Sequence, residues 1–168
     1  LDRALPWRDL IFARQKLRLF AELRGIDPKD RITPLLAALA GSGRFGDLWV
    51  EHPDSDSAKP LAGLARSFGN ALRPALRKAG FLSEKHDARL PRLHVVFVQG
   101  DHLFLCVADA RDSAPWPLGI PRLKLLPDAP SRSALKLEEA FLSLLDERQR
   151  EALLRPGMTA ADLGAAPG

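Results

Sequence analysis

Residues 92 to 108 read Arg-Leu-His-Val-Val-Phe-Val-Gln-Gly-Asp-His-Leu-Phe-Leu-Cys-Val-Ala, two apolar runs parted by Gly100-Asp101. Two such runs joined by a two-residue turn predict a β-hairpin over Arg92–Gln99 and His102–Ala108. Their apolarity is continuous rather than alternating, so both faces of the hairpin are expected to be covered. His94 and His102 lie in these runs without a second cysteine or a carboxylate at ligand spacing. They are therefore read as core or edge histidines, and no metal is expected.

The segment before the hairpin has a different period. From Lys59 to Gly80 the residues Leu61, Leu64, Ala65, Phe68, Leu72 and Leu76 share one helical face, while Lys59, Arg66, Asn70, Arg73 and Arg77 share another. Gly69 and Pro74 argue against one straight helix, because an interior proline loses a backbone bond and crowds the preceding turn. A break is expected between them. Further back, Phe45 to Glu51 has the character of a strand and Pro53 to Ser57 that of a loop. Asp30 to Ala40 reads as a helix with Asp30 or Thr33 as cap, Leu35, Leu36 and Leu39 inward, and Gly41-Ser42-Gly43 at its end. Strands alternating with helices place the chain in the α/β class.

Leu10 to Leu19 alternates like a strand at Lys16–Leu19, yet no partner strand stands N-terminal to it. Trp7, Phe12 and Phe20 are read as buried packing residues rather than as a platform for stacked bases.

The chain has 168 residues, 46% apolar and 27% charged, enough for one full core and part of another. No apolar run is long enough to span a bilayer, and no leader of charged then apolar residues stands at the start. No membrane is therefore expected as a partner, and the lone Cys106 fits a reducing cytoplasm. The net charge of +4 is unevenly spread: Lys59 to Arg92 holds eight Lys or Arg against Glu84 and Asp87, whereas Arg44 to Ala58 holds one Arg against four acids. A local basic excess favours a polyanion partner. A solvated helix face is the alternative. On the first reading Arg66, Arg73 and Arg77 track a phosphate backbone, with Lys85, Arg89 and Arg92 at its flank.

Past Ala110, Pro115, Pro117, Pro121, Pro127 and Pro130 make a stiff, extended connector. Arg122 and Lys124 alternate there with apolar neighbours and are either RNA contacts at a junction or solvated linker residues. Ser131 to Leu145 then predicts a helix with Ala134, Leu137, Phe141, Leu144 and Leu145 on one face. Lys136 falls near its positive N-terminal end, where a cation is unfavourable unless held in solvent or kept for a purpose. Arg148 to Leu154 adds helix, Pro156-Gly157 breaks it, and Met158 to Leu163 is expected as a short strand. That strand runs into Asp162-Leu163-Gly164-Ala165-Ala166-Pro167-Gly168. Glycines there let a ligand approach bare backbone. Ala166 stands where a dinucleotide fingerprint needs its second glycine, and no Gly-Lys-Ser/Thr follows, so the turn serves a different small cofactor or is an ordinary strand-to-loop turn.

Ser131-Arg-Ser-Ala-Leu-Lys136-Leu-Glu-Glu-Ala-Phe141, with Gly119-Ile-Pro-Arg-Leu-Lys124 before it and Asp162-Leu-Gly-Ala-Ala-Pro-Gly168 after it, resembles the RlmM family of 23S ribosomal RNA cytidine 2'-O-ribose methyltransferases. Leu10 to Gln15 and Asp30 to Pro34 are similar to the same family, so the likeness runs along nearly the whole chain.

The resemblance implies an α+β, THUMP-like RNA-binding module followed by the start of a Rossmann-like, FtsJ-type methyltransferase domain. It divides the chain into residues 1–24, the remnant of an N-terminal ferredoxin-like subdomain; 25–110, the THUMP-like domain; 111–130, a proline-rich linker; and 131–168, the first helix and strand of a catalytic domain cut within its cofactor loop. It implies S-adenosylmethionine as cofactor, 23S rRNA as partner and a cytoplasmic enzyme. Lys136 would be the first member of the family's Lys-Asp-Lys-Glu tetrad, orienting the ribose hydroxyl and lowering the pKa of a downstream lysine by like-charge repulsion. The other three members would lie beyond Gly168, and the chain alone is expected to be inactive. Ser131, Asp162, Gly164, Ala165, Ala166, Pro167 and Gly168 would hold the cofactor, and Arg66, Arg73, Arg77, Arg122 and Lys124 the RNA. A stand-alone RNA-binding module and a methyltransferase acting on a base or a protein are the other two readings.

Overall fold

The computed structural model describes residues 5–124 and 132–161. The chain divides into two compact units, with the boundary between Ile120 and Pro121.

The first unit is a mixed α/β layer built on the hairpin. Strands β1 (Arg18–Leu23), β2 (Asp47–Glu51), β3 (Arg92–Gln99) and β4 (His102–Ala108) form one sheet in the order β1-β4-β3-β2. The hairpin β3–β4 takes the expected bounds, and β2 runs parallel to β3 while β1 runs antiparallel to β4. A parallel neighbour needs a crossover, and helix α2 (Leu61–Lys78) supplies it. Helix α1 (Ile32–Ala38) precedes β2. The Asp30 carboxylate accepts from the Thr33 N–H at 3.0 Å, and Gly41 at φ 80° turns the chain out of the helix.

One side of the sheet carries Leu93, Val95, Phe97, Leu103 and Leu105, all fully buried with Leu35, Leu39, Leu72 and Leu76 of the helices. The rings of Phe68 and Phe97 meet edge to face at 5.3 Å. Val50 beneath α2 leaves so little room that a Cβ on Gly69 would press on its methyl at 3.3 Å.

The expected break in α2 is absent. One helix runs through Gly69 and Pro74. Pro74 costs about 3 kcal/mol and leaves the Asn70 carbonyl without its usual donor. Leu72 and Leu76 are both fully buried, at about 1.5–3 kcal/mol each, so the same apolar face persists on both sides of the proline and outweighs it.

Residues 18–23 are the second departure. Read as part of a remnant without a partner, they pair with β4, from Arg18 opposite Val107 to Leu23 opposite Leu103. The partner lies far ahead in the chain. Of the three aromatic residues expected inside, Trp7 is half-buried, Phe20 is 37% exposed and Phe12 is 97% exposed. An edge strand and the turn before it have only one covered side.

The proline-rich connector is the third. Its first half crosses the other side of the sheet as part of the first unit, with a single 3-10 turn at Pro117–Gly119. Polar side chains on that side need partners, and the connector's backbone provides them. At the crossing, Gly119 at φ 65° sits where a Cβ would collide with the Arg14 carbonyl.

In the second unit, α3 (Ser133–Leu144) and α4 (Glu147–Leu153) take the expected bounds closely. Asp146 and Gln149 form a reciprocal capping box on α4, at 2.8 and 2.9 Å. No residue of either helix is buried. The expected strand Met158–Leu163 is not seen in residues 158–161, which join no strand among the described residues, while 162 and 163 lie outside them. A strand needs a ladder, and none is offered there.

Candidate nucleic-acid interface

The basic stripe of α2 splits when its side chains are followed. Arg66 is exposed and makes no ion pair among the described residues. Arg73 folds back onto β2: one terminal nitrogen reaches Asp47 Oδ1 at 3.1 Å and the other the Leu48 carbonyl at 2.7 Å. Arg77 donates from Nε to the Ser83 carbonyl at 3.3 Å. Two of the three arginines therefore hold α2 to its neighbours.

Two of the basic segment's cations pair with carboxylates of the acid-rich segment. Asp47 meets Arg73 and His86, and Asp56 meets Lys59 at 2.6 Å. Burial raises the Asp47 pKa, but hydrogen bonds from the Leu48 N–H and Arg73 with the charges of Arg73 and His86 overcome it, leaving the group below its ordinary range. Arg92 is buried with its guanidinium 3.6 Å from the ring centre of Trp49, donating to the Ala114 carbonyl. Burial lowers its pKa against the pull of Asp47 and Glu51. A cation so placed is unavailable to a phosphate.

His94 is fully buried, as a core histidine should be, and its Nδ1 lies 2.6 Å from Glu51 Oε2. The other oxygen of Glu51 accepts from the Leu118 N–H at 2.5 Å, and Gln15 accepts from the Ala114 N–H. These groups tie the connector to the sheet. His102 is paired with Glu22 at 2.8 Å. Among the described residues no three His, Cys, Asp or Glu come together as a metal site.

A second cationic surface, unforeseen apart from Arg89, lies at the open end of the hairpin. A cleft of about 550 Å³ there is lined by Lys16, Arg18, Arg89 and Arg111, with Asp109 and Asp112 among them. One sequence signal could have revealed it: Asp-Ala-Arg occurs at 87–89 and again at 109–111, on either flank of the hairpin. The two copies adopt the same arrangement. Asp87 accepts from the backbone N–H, Nε and Nη2 of Arg89 at 2.8–3.0 Å, and Asp109 accepts from the same three groups of Arg111 at 2.9–3.3 Å. Gly46 fixes the first copy, since its N–H reaches the Pro91 carbonyl, its own carbonyl accepts from Asp87, and a Cβ would enter the Asp87 carbonyl.

In the second unit Lys136 is exposed on α3 and makes no ion pair among the described residues. Arg122 and Lys124 are exposed beyond Ile120. Ser131, Asp162, Gly164, Ala165, Ala166, Pro167 and Gly168 lie outside the described residues.

Residues 30–109 match the family model described as ribosomal RNA large subunit methyltransferase M, N-terminal. All 168 residues align at 76% identity with proteins named ribosomal RNA large subunit methyltransferase M from Xanthomonas campestris pv. campestris, Xanthomonas oryzae pv. oryzae and Xanthomonas axonopodis pv. citri. The chain spans 48% of the length of each of these relatives.

Proposed function

Because the chain belongs to the family of ribosomal RNA large subunit methyltransferase M, we propose that it is the RNA-binding part, with the start of the catalytic domain, of an enzyme that methylates a cytidine ribose 2'-hydroxyl of 23S ribosomal RNA. The observation that carries this reading is the 76% identity maintained over all 168 residues, both compact units included. In this reading the THUMP-like module lies within the first unit and the second begins the methyltransferase domain. The protein works in the cytoplasm, where its RNA is.

S-adenosylmethionine would supply the methyl group, and Ser131 with Asp162, Gly164, Ala165, Ala166, Pro167 and Gly168 would hold it. The exposed Lys136 contributes a cation that orients the ribose hydroxyl. Arg66, Arg122 and Lys124 remain RNA contacts in this reading, while Arg73 and Arg77 serve the fold. The packed core lies wholly in the first unit, which also suits a stand-alone RNA-binding module.

Single-turnover methyl transfer in a protein of the relatives' full length, with saturating RNA and cofactor, separates the readings. Lys136→Ala should lower the rate about a hundredfold to ten-thousandfold with little change in cofactor affinity, as loss of a positioned acid-base or orienting group does. Retention of more than about a tenth of the rate, a deficit of only about 1.4 kcal/mol, removes Lys136 from the site. Absence of transfer by the unsubstituted protein leaves the stand-alone module, and a methyl group mapped to a base or a side chain overturns the ribose target.

A further inference from the structure

We propose that the cleft at the open end of the β3–β4 hairpin is a phosphodiester-binding site for RNA, with Arg18, Arg89 and Arg111 as its donors; this rests on the RNA-binding reading above and moves the main contact surface from α2 to this end of the sheet.

The two Asp-Ala-Arg turns carry the argument. In each, the aspartate engages one edge of the guanidinium through Nε and Nη2, and the Nη1 edge has no hydrogen-bond partner among the described residues. A guanidinium held in this way is oriented before a ligand arrives, so less side-chain freedom is lost when a phosphate oxygen is bound. Both side chains remain 79–89% exposed despite their ion pairs. Arg18 opens β1 opposite Val107, is exposed and makes no ion pair among the described residues. Lys16 differs, since its ammonium is engaged by Asp112 and the Leu5 carbonyl.

The lining has four cations against Asp109 and Asp112, with Asp87 beside it on Arg89, which leaves a net positive charge, and its apolar lining includes Leu17, Pro91 and Val107. A mixture of arginine forks and apolar surface suits a sugar-phosphate backbone, which offers anionic oxygens and apolar ribose faces in alternation. A volume of about 550 Å³ exceeds what a lone phosphate would fill. On α2, by contrast, Arg73 has both terminal nitrogens engaged, by Asp47 and the Leu48 carbonyl, and its side chain is only 39% exposed.

The test is titration of the 168-residue chain with a labelled oligouridylate over a series of salt concentrations. Loss of three phosphate contacts in Arg18→Gln/Arg89→Gln/Arg111→Gln should flatten the slope of log K against log salt by about two units, at about 0.7 per contact on a single strand. Arg66→Gln should flatten it by at most one contact's share. Only a small drop in thermal midpoint is expected for the triple variant, because the two ion pairs it removes, to Asp87 and Asp109, have strongly exposed arginines; Arg→Lys at the same positions is the second check, keeping the slope while weakening binding through loss of the fork. If the unsubstituted chain shows no salt-dependent binding, the RNA-binding reading fails and this site with it. If that chain binds and the triple variant has the same slope, only the cleft is refuted. Polyglutamate competing as well as the oligouridylate would make the cleft an acidic-protein dock and overturn the assignment to RNA.

Discussion

Helices α2 and α3 have the same kind of sequence pattern and opposite fates. Helix α2 contains glycine and proline in its interior, yet buries Ala65, Phe68, Leu72 and Leu76. Helix α3 contains neither, is rich in leucine and alanine, and buries nothing, with Leu137 58% and Leu144 75% exposed. An apolar stripe becomes stabilising only where a complementary surface removes it from water. The sheet provides that surface for α2, so propensity decides little there; α3 has only half-buried positions such as Leu135, Phe141 and Leu142 and depends more on its propensity.

The sharpest way to break this contrast is a matched pair of substitutions. Leu72→Ala should cost about 2–5 kcal/mol, since it opens a cavity beneath α2, whereas Leu137→Ala should stay within about 0.5 kcal/mol. Chemical denaturation of the 168-residue chain reads both, and equal losses would mean that α3 is packed as tightly as α2.

A second substitution asks whether the connector belongs to the packed unit. Glu51→Gln removes the charge facing His94 and weakens the acceptor for the Leu118 N–H, so a loss of about 1–3 kcal/mol is expected. Hydrogen exchange at the Leu118 amide should accelerate with it. Wild-type exchange there would show that the connector is held by other contacts.

Arg73→Ala against Arg66→Ala separates the two roles within one helix face. Arg73 supports α2 through Asp47 and the Leu48 carbonyl, and being 39% exposed on its side chain it should cost about 1 kcal/mol rather than the value of a buried pair. Arg66→Ala should leave the melting temperature unchanged. Equal melting temperatures for the two variants would return Arg73 to the free cations.

The smallest effect is in acid. The Arg89 guanidinium, then its backbone N–H, hold Asp87 at about 2 instead of the ordinary aspartate value near 3.9. A depressed folded-state pKa stabilises above the unfolded value, and that contribution is lost as pH falls from about 4 to about 2. Asp87→Asn should therefore flatten the stability profile in that window, with a small loss of stability near neutrality and none at the acid end, where the carboxylate is protonated in the folded and unfolded chain alike; acid titration followed by circular dichroism is the measurement.

The sequence alone determined the elements whose partners are close by. The hairpin was legible to its last residue and the bounds of α3 and α4 to within one or two, because turn chemistry and helical period act over a few residues; α1, read as Asp30 to Ala40, is the shorter Ile32–Ala38. The resemblance to the family was legible in the motif around Lys136. Tertiary structure alone decided where β1 pairs, since Arg18–Leu23 finds β4 some eighty residues on, and carried α2 through Pro74 because burial outweighs one lost bond. It also decided which cations are spent. Composition shows a net positive run from Lys59 to Arg92 but not that Asp47 reaches Arg73, that Arg92 lies over Trp49, or that two Asp-Ala-Arg turns meet at one end of the sheet. Charge pairing acts through space, and the pairs are set only when the sheet and helices have brought distant segments within a few ångströms.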